Sequence, residues 1–272
     1  MIDWARWESS GFYVLFVSVF LGVAVWETFR PYREWTAPTA RRWRNHFILF
    51  VIANVVSVSA LRLGPVAAAL LARDRHWGLF ALWPAPLWLQ CIVAAIAMDL
   101  TRYANHRAFH RFRWLWQVHQ VHHSDPAFDV STSLRAHPIE TFGMQAGTLA
   151  VVLLLGLPPL GVLVTELVAT FQSFFEHANA SLPAWIERPL RRVLITPDLH
   201  RIHHSTDVDE QQRNFGEIFP WWDHLFGTFT AVARRAVIDV GLRGLEKETS
   251  LGVGFLLKEP FVPSPETSSE IR

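Results

Sequence analysis

From Gly11 to Trp26 the chain reads G-F-Y-V-L-F-V-S-V-F-L-G-V-A-V-W, apolar throughout and without a charge. In a bilayer each backbone N–H and C=O has to be satisfied within the segment, so a run of this kind reads as a helix. With its flanks it approaches the length of about 20 residues that a spanning helix needs. A second run, Phe47 to Leu61, continues beyond Gly64-Pro65 to Ala72, and the Gly-Pro pair predicts a kink or break. The third, Leu79 to Met98, carries Pro84 and Pro86 near its start and then passes without a further breaker into a polar stretch from Asp99. Two more runs, 140–155 and 162–175, flank Gly156, Pro158 and Pro159 and predict a helical hairpin that spans the membrane or enters it part way. Composition agrees. A hydrophobic fraction of 51% against 18% charged residues sits in long runs rather than at amphipathic spacing, and 13 Trp and 20 Phe suit a chain bordered by membrane interfaces. The expected fold is all-α: an integral membrane helical bundle of four to five embedded helices in hairpins.

Charge orients the bundle. Arg30, Arg33, Arg41, Arg42 and Arg44 face one acid, Glu34, so the positive-inside tendency puts this loop in the cytoplasm. Two crossings later the chain from Asp99 to His123 returns to that side, and the hairpin brings residues 177–204 back to it. Arg102, Arg107, Arg111, Arg113, Arg188, Arg191 and Arg192 agree with the placement. A net charge of +1 gives no general pull toward nucleic acid. The opening M-I-D-W-A-R-W-E lacks the basic start and cleavage site of a secretory signal. Cys91 is the single cysteine, which excludes an intramolecular disulfide and a thiolate metal site. The expected division is 1–98 for the first membrane helices, 99–235 for a catalytic region that joins a membrane hairpin at 140–175 to a cytoplasmic helical cap, and 236–272 for a tail disordered from about Glu259. The stretch 182–195 reads as a surface-lying amphipathic segment, and Thr196-Pro197 as a helix start.

The polar stretches are rich in histidine. His106 and His110 lie four apart; His119, His122 and His123 follow as H-x-x-H-H; His200, His203 and His204 repeat that pattern. Residues three and four apart share a helix face, so each group can present several imidazoles in one direction. All-nitrogen sites suit Zn, Cu, Fe or Ni. Eight histidines exceed the four ligands of a structural zinc and imply two metals with room for a reactant. Asp99 and Tyr103 fall on the stripe of His106 and His110, either to hydrogen-bond the outer nitrogen of a ligand or as a helix-end cap and an interfacial aromatic. His76, alone beside a membrane boundary, reads as a solvated surface residue. Two other classes use histidine and metal. A transporter or storage protein places ionisable ligands near the bilayer midplane, whereas these clusters flank the apolar runs. A metal-dependent hydrolase needs fewer histidines and a carboxylate base, for which Glu140 or Glu176 would have to serve.

Taken together, H-x-x-x-H, H-x-x-H-H, an isolated histidine and a second H-x-x-H-H, interleaved with hydrophobic hairpins, resemble the fatty acid hydroxylase/sterol desaturase superfamily of integral membrane di-iron oxidases. The resemblance runs roughly from Asp99 to Phe229. R-A-H-P-I-E around His137, F-F-E-H-A-N around His177 and W-W-D-H-L-F-G-T around Asp223 are also similar to elements of that superfamily. It implies hydroxylation or desaturation, with O2, of a lipid such as a fatty acyl chain, sterol or related isoprenoid. It also implies two non-haem iron ions, with zinc as a mismetallated substitute. The site would lie on the cytoplasmic face of the plasma membrane in a bacterium or of the endoplasmic reticulum in a eukaryote. No segment is left for a fused cytochrome b5-like module, so the expected electron donor is a separate ferredoxin-, cytochrome b5- or reductase-like protein. Carried over by position, the resemblance makes His106, His110, His119, His122, His123, His200, His203 and His204 metal ligands and His177 a ninth. His137 is either a ligand or the organiser of the turn at Pro138. Asn179 either supports a ligand or ends a helix, Asp223 is a supporting residue and His224 a structural one. Where fatty acid 2-hydroxylase relatives carry a further histidine four residues after the isolated one, this chain has Ser181.

Overall fold

A computed structural model describes residues 4–34, 39–235, 238–242 and 252–261. Among these residues the chain is all-helical, with no strand. Four stretches are long and apolar enough to cross a membrane: Phe12–Phe29, Thr39–Leu82, Leu87–Arg111 and Pro138–Leu155. The first lies in α1 (Trp4–Phe29). The second is built from α2 (Thr39–Leu61), α3 (Pro65–Asp74) and the single turn α4 (Leu79–Leu82). The break falls where Gly64-Pro65 predicts it, with Arg62 in the left-handed region and Pro65 opening α3.

The third membrane helix starts later than its apolar run. Pro84 and Pro86 stop α4, and α5 (Leu87–Arg111) begins only after them, because proline removes the backbone donor that a helix interior needs. At 1.5 Å per residue α5 is about 37 Å long, so its last few residues, His106 to Arg111, project beyond a hydrocarbon core of about 30 Å. One extended residue, Phe112, separates it from α6 (Arg113–His123). No glycine or proline marks that break.

The hairpin consists of α7 (Pro138–Leu155) and α8 (Pro159–Glu176), each about 27 Å long. It is the centre of the bundle: α2, α3 and α5 pack on α7, and α1, α3 and α5 pack on α8. Its tip turns at Gly156 (φ +64°) and meets the turn at Gly78 (φ +89°) so closely that a Cβ on either would strike the other's backbone or that of Trp77. Both positions therefore demand glycine for conformation and for space. Near the tip Val66, Ala69, Ala94, Met98, Leu149, Val152 and Val162 form a buried apolar cluster. α8 is not among the membrane-length stretches, since Glu166, Gln172 and Glu176 interrupt its apolar run.

Polarity is distributed inside out relative to a water-soluble protein. Tyr13, Val17, Leu21, Val51, Val55, Trp88, Ile92, Val164 and Val168 are exposed, while Glu27, Arg42, Asp99, Arg135, Asp223 and most histidines are buried. Hydrocarbon outside and satisfied polar groups inside are what a bilayer imposes.

The remaining helices are short and gather at one end: α9 (Ala184–Leu190), α10 (Pro197–His203), α11 (Val208–Gln211), α12 (Trp221–Phe226) and α13 (Val253–Leu256). Pro197 occupies the first position of α10 as predicted, but the Thr196 hydroxyl donates to Glu187 instead of capping the helix. The expectation of disorder from Glu259 is corrected in part. Glu259–Phe261 forms a 3₁₀ turn in which the buried Glu259 accepts a 2.7 Å hydrogen bond from Gln120, and residues 262–272 lie outside the described residues.

Candidate metal centre

Nine histidines from α5, α6, α10 and the end of α8 converge below the hairpin. They fall into two groups that could each hold a metal ion. In the first, called site one, one ring nitrogen from each of His106, His110, His119, His123 and His203 lies within 4.8 Å of the others. In site two the same is true of His122, His177, His200 and His204. The groups abut, with the rings of His123 and His204 stacked 4.3 Å apart.

Helix geometry explains the division. The break at Phe112 folds α6 back beside α5, so that His110 Nε2 and His123 Nε2 stand 3.1 Å apart. Within an H-x-x-H-H motif the first and last histidines are four residues apart and share a face, whereas the middle one is turned by about 100° from its successor. The first motif accordingly contributes His119 and His123 to site one and His122 to site two. The second does the reverse: His200 and His204 enter site two and His203 enters site one. Each motif thus spans both sites.

The outer nitrogens set the tautomers. Nδ1–H of His106 donates to the Phe215 carbonyl at 2.9 Å, that of His122 to Arg135 at 3.1 Å, that of His177 to Ser173 at 2.7 Å and that of His203 to Arg213 at 2.8 Å. A carbonyl can only accept, so in these rings Nε2 is left as a lone pair. His119 donates its Nδ1–H to the buried Glu140 carboxylate at 2.7 Å, an arrangement that orients a ligand and raises its basicity. The inward nitrogens are then orphaned. Nε2 of His106, His119, His203 and His204 is buried without a partner among the described residues. Nε2 of His122 and of His177 face each other at 3.2 Å, although both rings have committed their single proton outward. Two lone pairs at that distance repel unless a cation lies between them. Burial also holds His119 down to about 3 and His177 to about 4, and keeps His122, His123, His200, His203 and His204 well below the ordinary imidazole range. At neutral pH these rings are uncharged and able to ligate.

His137 stands outside both groups. It is the N-cap of α7: its Nδ1 accepts from Ile139 N at 3.2 Å, and Glu140 reaches back to the His137 backbone N–H. Of its two expected roles, organising the turn at Pro138 is the one its contacts describe. Asp99 and Tyr103 hydrogen-bond no histidine. Asp99 accepts from Ile218 N, Phe219 N and Trp222 Nε1, and Tyr103 pairs with Thr228. Asp223 accepts from Phe215 N, Gly216 N and the Thr228 hydroxyl, so these residues act on the loop that presents the Phe215 carbonyl to His106. Asn179 bonds the backbone of Arg33. Ser181 donates to Asp198, and His224 is an exposed ring stacked on Phe229. His76 is exposed, beside Trp77 and Gly78 at the hairpin-tip end.

Sequence reasoning did not single out Glu140 as a partner of His119, nor the buried Glu27, Arg42 and Arg135. Two signals were available: H-P-I-E has capping-box spacing, and an acid such as Glu27 within an apolar run is costly unless it has a task. Arg42 is fully buried between Asp125 (2.9 and 2.7 Å) and Asp129 (2.8 Å), two acids that follow the first H-x-x-H-H.

The pattern that defines the fatty acid hydroxylase family matches residues 91–228, just over half of the chain, and that span contains all nine histidines. The chain belongs to the fatty acid hydroxylase family. It is 29% identical to the ornithine lipid hydroxylase OlsE of Rhizobium tropici over 259 residues, 92% of this chain and 75% of that protein. It is 30% identical to the alkylglycerol monooxygenase of Caenorhabditis elegans over 158 residues, and 28% identical to methylsterol monooxygenase 1 of Danio rerio over 161 residues. These matches cover 57% and 56% of the chain but only 30% and 50% of the relatives. No solved structure matches it.

Proposed function

We propose that this fatty acid hydroxylase family member is a multi-pass membrane enzyme that uses O2 to hydroxylate a membrane lipid, with one iron ion in each histidine group. His106, His110, His119, His123 and His203 would hold the first, and His122, His177, His200 and His204 the second. The observation that carries this reading is the pair of lone pairs, His122 Nε2 and His177 Nε2, held face to face in a dry site by carbonyls behind each ring. Nitrogen ligation suits iron, and reduced iron with an open position supplies the oxidant that an unactivated C–H bond requires.

The chain's own residues hold five of the rings (His106, His119, His122, His177 and His203) in one tautomer, bury the site, and enclose it with Trp116, Phe128 and Phe215. The similarity to an ornithine lipid hydroxylase over 92% of the chain supports a polar, acyl-bearing membrane lipid as substrate. The arginines of the 30–44 segment and of α5 and α6 support a site facing the cytoplasm, where a separate electron-donor protein would reach it.

The test uses full-length protein purified in detergent, loaded with iron, and given a chemical reductant, ¹⁸O2 and a membrane lipid extract. The expected result is two irons per chain and a lipid that gains one ¹⁸O atom. Zinc retained without O2 consumption, after iron reconstitution has been attempted, overturns the reading.

A further inference from the structure

The two sites differ in what stands behind them. Site one is backed by the Phe215 and Arg213 carbonyls and by Glu140, all within the region 91–228 that matches the family. Site two is wrapped by a segment far outside that region, at the end of α1. Glu27 is fully buried there. Its Oε2 accepts from Asn179 N at 2.9 Å and from Val130 N at 3.1 Å, joining the chain just after His177 to the chain just after the first H-x-x-H-H. Pro31 forms a bridge with Ala180, and Tyr32 N donates to Asn179 O at 2.8 Å. Asn179 also exchanges side-chain hydrogen bonds with Arg33 N (3.2 Å) and Arg33 O (3.0 Å).

Two further contacts close the wrap. The Arg33 guanidinium donates to Ala127 O at 2.7 Å, next to Phe128, whose ring lies 4.9 Å from His204 and 5.7 Å from His177. Arg201, between His200 and His204 in sequence, has its guanidinium 3.7 Å over the Tyr32 ring and donates to Ala178 O and Ala180 O. Asn179 and Ala180, just after His177, and Ala127, next to Phe128, are therefore tied to 27–33. None of these bonds touches a site-one histidine.

We infer that Glu27–Arg33 is a positioning brace specific to site two, setting how tightly that group holds its metal ion while leaving site one nearly unaffected. The inference rests on the two-metal reading above. Glu27 acts through one oxygen: Oε2 takes both backbone N–H groups and Oε1 has no partner among the described residues. An amide carbonyl at this position can accept the same two bonds.

The test reads each site alone, by cobalt(II) titration of chelator-stripped, full-length protein in detergent. H106A/H110A protein retains only site two, and H200A/H204A protein only site one. Loss of supporting contacts behind a ligand lowers metal affinity by about 10- to 100-fold, so Glu27→Ala is expected to weaken cobalt binding by at least tenfold in the first background. In the second background, where no supporting contact is lost, cobalt binding should be nearly unchanged. Glu27→Gln should restore binding in the first. Arg33→Ala, at the half-buried end of the brace, should reproduce the selectivity if Glu27→Ala does not fold. Equal weakening in both backgrounds would mean general loosening of the bundle and overturns the brace, as does no weakening in either. Cobalt binding that neither histidine pair reduces overturns the two-metal reading itself, a result separate from either of these.

Discussion

Site one takes its five histidines from three helices, α5, α6 and α10, whereas site two takes two of its four, His177 and His204, from positions just past a helix end. Among the described residues, three rings of site one are held from behind, by Phe215, Arg213 and Glu140, and two of site two, His122 and His177, by Arg135 and Ser173. A ring on a helix inherits the rigidity of the hydrogen-bond ladder. A ring just past a helix end depends more on whatever pins the following loop, because the residue that carries it has left the ladder. That is where Glu27, Tyr32 and Arg33 make their contacts. Yet the sites are not independent, since His122-His123 and His203-His204 are peptide-bonded neighbours divided between them.

Removing a ligand should break the comparison most severely. His123→Ala and His204→Ala each are expected to lower metal content from two ions per chain toward one and to abolish lipid oxidation, as read by metal analysis and product detection. Retention of two tightly bound ions in either variant would show that the assigned groups are not the sites.

Acid should act next most strongly, and on both sites alike. His119 near 3 and His177 near 4 lie below the ordinary value of about 6.5, so below that pH the unfolded chain binds more protons than the folded one. The contribution of these rings to the stability of the metal-free protein should therefore be level above about pH 7 and fall as pH drops from 6.5 toward 4, by about 1.4 kcal/mol per pH unit for each such ring. Thermal unfolding in detergent across that range, compared with His119→Phe protein, checks it, and an identical pH dependence in the two would mean that the His119 ring is open to water.

Glu140→Ala gives the smallest effect and sharpens the contrast. It leaves the His119 Nδ1–H without its acceptor, and a loss of about 10- to 100-fold in metal affinity is expected at site one. Measured in H200A/H204A protein this should appear, and in H106A/H110A protein it should be nearly absent. Glu140→Gln, which keeps a carbonyl acceptor, should recover most of it.

Much of this molecule was readable without coordinates. The apolar runs marked the membrane helices because the lack of water in a bilayer core leaves few alternatives. Gly64-Pro65 and Gly156-Leu157-Pro158-Pro159 announced the breaks that α3 and the hairpin tip display. Two boundaries were less legible. Leu79–Leu82 looked like the start of a long helix because apolarity alone does not weigh two prolines, and Phe112 breaks α5 from α6 without any turn residue. His137 was ambiguous because one imidazole can ligate or cap with the same atoms, and only its contacts with Ile139 and Glu140 distinguish the roles.

By itself the sequence determined the class of protein, the main apolar helices and the motifs that carry the clustered histidines. These depend on local quantities: hydropathy over a span of about 20 residues and spacing over three or four. The partition of nine histidines into two sites was decided only by tertiary structure. Adjacent residues such as His122 and His123 point about 100° apart, and which of them meets His177 depends on how α6 folds back along α5 and where α8 ends. The same is true of the brace on site two. Glu27 and Asn179 are 152 residues apart and share no motif, and they meet because α1 packs against α8 in the assembled bundle.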